Sequence, residues 1–391
     1  MFEEKLCTGD SKPRGVRLVL LGLLSAAVIF TPICLGPLIG TSELQTNSGV
    51  ERPSPSLDFD YPGNLSRWLA EHAVLKNQAI RLDGEIDRLV FGEEASAGSV
   101  SPRVIEGRAG VAFIADAFNE ACNAHIETSK LIERLKMLSE VIQKSGREFN
   151  LIVSPDKSTV LSDFLPPKFD LKNCFESYNE NFWTSLGDSG IQGFIDLRDK
   201  LINARTERRE LLFKRRDTHW DNAGGLVAAK AVVDSLAPGI WDEESVTFLG
   251  LVEEIGDLDV ISGGTKVDQV PSYSLQRPRD VAVRSEAVSL NNKIVGRKFH
   301  SESGKSSLIP GKTLIFGDSF SEAAEPFYLS YFENATLVRL HDFSPELFRE
   351  QIKIADRVIV WSVERSFAYR VAYDWGTVEF ISSLASELDG G

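Results

Sequence analysis

Five short apolar runs constrain the architecture of this chain more than any other feature. They are Phe149–Val153 (FNLIV), Gly193–Leu197 (GFIDL), Thr313–Phe316 (TLIF), Ala335–Leu340 (ATLVRL) and Val358–Val363 (VIVWSV). A strand with one face in water alternates apolar and polar residues, so near-continuous runs read as strands buried on both faces. Helical segments lie between them. One signal runs from about Glu120 to Ser145 and ends at Gly146, and a basic helix follows Leu197. Asn222 to Leu236 stops at Pro238-Gly239, Glu346–Ala355 separates the last two strands, and Thr377–Leu388 lies near the C-terminus. Strands alternating with helices predict an α/β domain, a parallel sheet covered by helices on both faces. In such sheets the working residues collect in loops at the strands' C-terminal edge.

The N-terminal region follows different rules. From Leu18 to Gly40 there are 23 residues without a charge, and about 20 apolar residues suffice for a helix to cross a bilayer. Lys5, Lys12, Arg14 and Arg17 precede this stretch, whereas the first charges after it are Glu43 and Glu51. The positive-inside rule then makes residues 1–17 a cytoplasmic tail, 18–40 a transmembrane anchor, and the rest extracytoplasmic. A cleaved signal peptide is the competing reading. Residues 41–103 read as a linker followed by an amphipathic helical segment over Trp68–Phe91, and the main domain begins near Val104 and runs to 391. Residues 262–310 are polar and weakly periodic and read as an irregular insertion with room for short strands.

The net charge of −14 argues against nucleic acid as a partner. No His/Cys cluster has zinc spacing, so no structural metal is expected. With Cys7 in the tail and Cys34 in the span, only Cys122 and Cys174 remain outside. They can pair in an oxidising compartment or stand apart as small apolar residues.

Two short motifs carry the chemistry. Gly317-Asp318-Ser319-Phe320 ends the TLIF run and opens a helix. A serine on such a turn can expose its hydroxyl beside the free N–H groups of a helix N-terminus, or simply cap that helix. In Asp217-Thr218-His219-Trp220 the acid and the imidazole are spaced i, i+2, which puts both on one side of an extended chain. There the carboxylate can orient the imidazole and leave its second nitrogen free as a base. Asn222 stands where it could cap the following helix. His72, His125, His300 and His341 lack a comparable setting.

The order of these elements resembles a known family. The Gly107-Arg108-Ala109-Gly110 turn, Val153-Ser154-Pro155-Asp156-Lys157, Leu165-Pro166, Ile195-Asp196-Leu197, Asp217-Thr218-His219-Trp220, Gly317-Asp318-Ser319-Phe320 and Glu364-Arg365 occur in succession. Behind an N-terminal anchor, this succession is similar to the alginate O-acetyltransferase type of SGNH-hydrolase-like proteins, which act in bacterial polysaccharide O-acetylation. Ordinary SGNH esterases place the serine first, whereas here Asp-x-His precedes it. Ser154-Pro155-Asp156-Lys157 is a variant of the family's Val-Pro-x-Lys element.

The resemblance implies an SGNH-hydrolase-like fold with Ser319 as nucleophile, His219 as general base and Asp217 as its orienting carboxylate. It also implies a polysaccharide acceptor, a membrane-bound O-acyltransferase as acyl donor, no cofactor, and a place on the periplasmic side of the inner membrane. Gly317 and Arg365 are weaker candidates for the oxyanion or substrate, and an ion pair with Glu364 or another acid is the favoured reading of Arg365. The leading function is acetyl transfer through an acyl-serine. An esterase and a non-catalytic anchored scaffold are the alternatives.

Overall fold

Adjacent residues of each interior strand enter different halves of the core, which is why those strands carry no polar alternation. Leu151, Val153, Leu314, Phe316, Val358 and Val360 are buried on one face of the central sheet. Ile152, Ile315, Ile359 and Trp361 are buried on the other. The computed structural model describes residues 103–389, except 263, 279–280 and 291–292. The expected tail, anchor, linker and amphipathic helix therefore lie outside the described residues. Among the described residues no helix is long and apolar enough to cross a membrane.

The described chain opens with a hairpin, β1 (Val104–Glu106) and β2 (Ala112–Ile114), built on the Gly107–Gly110 turn. Next come α1 (Asp116–Cys122), α2 (Thr128–Lys144), β3 (Glu148–Ser154), the short α3 (Lys157–Val160), α4 (Lys172–Gly187), β4 (Phe194–Asp196) and α5 (Leu197–Arg208). After a loop come α6 (Asn222–Leu236), β5 (Val246–Ile255), α7 (Asp257–Ile261), β6 (Val267–Leu275), β7 (Val281–Leu290) and β8 (Lys293–Ser303). The last part comprises β9 (Ile309–Gly317), α8 (Ser319–Tyr328), β10 (Phe332–Arg339), α9 (Pro345–Lys353), β11 (Arg357–Val363), α10 (Glu364–Tyr373) and α11 (Val378–Asp389).

The central sheet has seven strands in the order β4-β3-β11-β9-β10-β8-β7. The strands from β4 to β10 are parallel, whereas β8 and β7 continue the sheet as an antiparallel hairpin. Residues of α5, α6 and α8 pack on one face, and residues of α2, α9, α10 and α11 on the other. The expected two-sided α/β sheet is therefore present, and the end of β9 and the end of β11 lie side by side at its C-terminal edge, with Gly317 opposite Trp361.

Two expectations are corrected. Residues 262–310 are not an irregular insertion, because they hold β6, β7, β8 and the start of β9. Most of β5 and β7 is exposed or half-buried on both sides, so neither strand carries the inside–outside alternation that marks a strand in sequence. The signal from Glu120 to Ser145 is two helices and not one. The chain leaves helical geometry at Asn123 (φ −125°, ψ 47°) and re-enters at Thr128 after an extended Glu127.

The break lies next to a covalent tie. Cys122, at the end of α1, is disulfide-bonded to Cys174 in α4, which settles the pairing that the sequence left open. The bridge closes a loop across a separation of 52 residues. Chain-entropy arguments give such a crosslink about 2–4 kcal/mol. The double substitution Cys122→Ser/Cys174→Ser is expected to lower unfolding free energy by that amount in a denaturant titration. An unchanged midpoint would show that the bridge adds nothing.

Candidate active site

Gly317 ends β9 where the chain must turn closely over α8. A Cβ at this position would lie 1.9 Å from Ser321 Oγ and 2.7 Å from Ser321 Cβ, so only hydrogen fits. Its role in the turn is steric. Asp318 follows in extended conformation, and its carboxylate accepts the N–H of Phe320 at 3.0 Å as the cap of α8. The other carboxylate oxygen accepts the N–H of Val363, which ties the α8 turn to the end of β11. Burial raises the Asp318 pKa, against the opposing effect of these N–H bonds. Because Asp318 is the cap, Ser319 is the first helical residue and its hydroxyl is not spent on capping. The Phe320 N–H is taken by Asp318, and the Ser319 N–H is one of the first-turn donors that have no intrahelical acceptor.

Asp217 and His219 lie in the loop between α5 and α6. Asp217 Oδ1 accepts both the His219 backbone N–H and imidazole Nδ1–H, each at 2.8 Å. This arrangement fixes Nδ1 as the protonated nitrogen and turns the lone pair of Nε2 towards Ser319 Oγ, 2.8 Å away. The three side chains thus form one line of hydrogen bonds, with His219 and Ser319 100 residues apart in sequence. Burial alone would raise the Asp217 pKa, but the hydrogen bond and charge of His219 hold it well below the usual carboxylate range. The acid therefore stays ionised. Phe320 packs its ring against His219 with centroids 5.1 Å apart, and the buried Trp220 meets Phe320 edge-on at 4.9 Å.

The helix after this loop is capped by Asp221, which accepts the Gly224 N–H at 2.9 Å, and not by Asn222. Asn222 instead accepts the Tyr273 N–H from β6 at 3.1 Å. Arg365 pairs with Asp156 and not with Glu364. Its guanidinium donates to Asp156 Oδ1, and its backbone N–H donates to Asp156 Oδ2 at 2.8 Å. The same guanidinium lies 5.2 Å from the centroid of Phe320, the residue after Ser319. Glu364 turns the other way and accepts from the Asp156 N–H and the Thr159 hydroxyl. His125 and His300 bond Glu120 and Asn334 respectively, and His341 is exposed in the turn that follows β10.

One site residue gave no signal in the sequence. Asp257, at the start of α7, accepts the Thr218 N–H at 2.7 Å and the Thr218 hydroxyl at 2.5 Å. Its second oxygen lies 3.6 Å from His219 Nδ1, and its own N–H donates to Asp217 Oδ2 at 3.2 Å. Gly256 makes this approach feasible, since a Cβ there would lie 1.9 Å from the Arg216 carbonyl oxygen. Gly256→Ala is expected to push α7 off the loop and lower activity by about a hundredfold, the cost of misplacing reacting groups by about 1 Å. Steady-state rates on an activated acetyl ester will measure it, and near-normal rates would contradict this account.

Asp217, His219 and Asp257 also bring one metal-ligating atom each within 4.8 Å of the others, the one such group among the described residues. Both imidazole nitrogens already hold hydrogen bonds, Nδ1 with Asp217 and Nε2 with Ser319. A cation there would break that line.

Comparison with known proteins places this chain in a family. The O-acetyltransferase domain of Pseudomonas putida AlgJ is similar to 73% of this chain and 99% of its own length, at 17% identity and a TM-score of 0.47. Pseudomonas aeruginosa AlgX is similar over 74% of this chain and 66% of its own, at 16% identity and a TM-score of 0.44. Bacillus cereus PatB1, solved with a sulfonyl adduct, is similar over 63% and 91%, at 12% identity and a TM-score of 0.48. No curated protein matches the chain. The family model described as the SGNH hydrolase-like domain of acetyltransferase AlgX matches residues 104–325, more than half of the sequence and a span that includes Asp217, His219 and Ser319. The chain belongs to the SGNH hydrolase-like family of AlgX-type acetyltransferases.

Proposed function

We propose that this protein transfers an acetyl group to a hydroxyl of an exported or cell-surface polysaccharide through an acyl-serine intermediate. The observation that carries the reading is the line Asp217–His219–Ser319, with 2.8 Å at each of its two contacts. In the first step Ser319 Oγ attacks the acetyl carbonyl while Nε2 of His219 takes the hydroxyl proton. The charge that forms on the carbonyl oxygen meets the Ser319 N–H and the positive end of α8. The donor's leaving group departs with the proton from His219, and acetyl-Ser319 remains. A sugar hydroxyl then attacks that ester, His219 takes its proton and returns it to Ser319 Oγ, and the acetylated sugar leaves. Asp217 stays ionised throughout and stabilises the imidazolium that forms at each attack.

The resemblance extends the proposal to a membrane-bound O-acyltransferase as donor, and the uncharged stretch Leu18–Gly40 to an inner-membrane anchor that holds the domain on the periplasmic side. The test uses the full chain in detergent, an activated acetyl ester, and oligosaccharides present or absent. Acetylated sugar formed by the wild type and not by Ser319→Ala is the expected result. Release of free acetate alone would make the protein an esterase, and equal background from both proteins would remove catalysis from the account.

A further inference from the structure

The loop that carries Asp217 and His219 has little secondary structure of its own, and Lys157 supplies what it lacks. Lys157 opens α3 just beyond the end of β3 and is 3% exposed. Its ammonium donates to three backbone carbonyls of that loop: Lys214 at 3.0 Å, Arg215 at 3.0 Å and Asp217 at 2.6 Å. An ammonium has three N–H donors, so all of them end on this one segment. N–H donors of the same segment are held by acids. Asp268 of β6 accepts the Arg215 N–H at 2.9 Å, and Asp257 accepts the Thr218 N–H at 2.7 Å.

We infer that Lys157 is a positioning residue for the acetyl-transfer reaction, a buried cation that holds the Asp217–His219 loop in reach of Ser319. The inference rests on the function proposed above. Its shortest contact is to the carbonyl of Asp217, the residue whose side chain bonds His219. A shift of the backbone at Asp217 displaces the carboxylate and, with it, Nε2. The sequence places this lysine in the variant of the Val-Pro-x-Lys element but does not show what its ammonium meets.

The environment of Lys157 makes its role sensitive to pH. Burial pushes its pKa down to about 7, opposed by Asp217, Asp257 and Asp268 and assisted by Arg216. The Phe113 ring of β2 lies 5.7 Å from the nitrogen and completes its surroundings. As pH rises through that value the ammonium loses a proton. The amine has two donors for three carbonyls, and its lone pair faces the third oxygen. The loop should then loosen and the rate fall.

Lys157→Met, Ser319→Ala and the wild type are compared on an activated acetyl ester from pH 5.5 to 9.5, with circular dichroism to check folding. Lys157→Met is expected to lower kcat by about 30- to 100-fold, to change KM less than threefold, and to lose the wild type's alkaline limb. A folded Lys157→Met with kcat within threefold of wild type and the same pH profile overturns the inference. If Ser319→Ala is inactive in that same experiment, the proposed function stands without it. If Ser319→Ala is as active as the wild type, the proposed function itself has failed. Should Lys157→Met not fold, the wild-type profile decides, because a kcat flat from pH 6.5 to 9.5 is incompatible with a lysine that must stay protonated.

Discussion

Ser319→Ala is expected to lower kcat/KM for acetyl transfer by at least about a thousandfold, with the fold intact. In the proposed mechanism Oγ forms the covalent ester, and it stands 2.8 Å from His219 Nε2. Without it the acetyl group can leave only to water or directly to the acceptor, aided by the N–H groups at the start of α8. Residual catalysis of that kind is typical where a nucleophile is removed and the oxyanion donors remain. The loss should not grow when His219→Ala is added, because the two residues act as one unit. The fold should be unaffected, since the cap of α8 is Asp318 and not Ser319. Steady-state rates of the two single variants and the double variant check both statements. A tenfold loss or less for Ser319→Ala would be incompatible with an acyl-serine intermediate.

Asp217→Asn should lose about a thousand- to ten-thousandfold in kcat, although it changes only one heavy atom. The carboxylate accepts from His219 Nδ1 and from the His219 backbone N–H through the same oxygen. An amide that turns its NH2 towards Nδ1 stabilises the tautomer with the proton on Nε2. Ser319 then meets a donor where it needs an acceptor. In the proposed mechanism the ionised state of Asp217 also stabilises the imidazolium, and an amide carries no charge to do this. The pKa shift gives the direction of a pH effect. Asp217 is held below the usual carboxylate range in the folded protein, so its contribution to stability is fully present above its unfolded value. That contribution is lost as pH falls through the folded value, and neutral-pH activity should not depend on its titration. Asp217→Asn should therefore be less sensitive to acid unfolding than the wild type while being nearly inactive. Equal acid sensitivity would show that the charge of Asp217 contributes no stability.

Much of the scaffold was legible because burial on both faces leaves a local trace. The apolar runs became β3, β4, β9, β10 and β11, and the helix read over Asn222–Leu236 has those bounds in the structure. Strands that lack a continuous buried run leave no such trace, so β6, β7 and β8 were read as irregular chain. The helix break at Asn123 was hidden because the residues on either side fit one helical period. In the site, Gly317 and Ser319 could be placed on a strand-to-helix turn, and Asp217 and His219 on one side of the chain. The caps are Asp318 and Asp221, each one position before the residue that the sequence offered as a cap, Ser319 and Asn222. Such a shift is within the reach of any rule based on composition near a helix start.

By itself, the amino-acid sequence determined the elements whose causes are local: which segments are buried strands, where helices stop, and which residue types stand at the turn and in the loop. The tertiary structure alone decided what meets across long separations. His219 reaches Ser319 over 100 residues, Lys157 reaches Asp217 over 60, and Asp257 reaches Thr218 over 39. The Arg365–Asp156 pair and the Cys122–Cys174 bridge are of the same kind. A hydrogen bond or ion pair depends on the distance and angle between two groups, and strand order and helix packing set these. No periodicity within either segment encodes them.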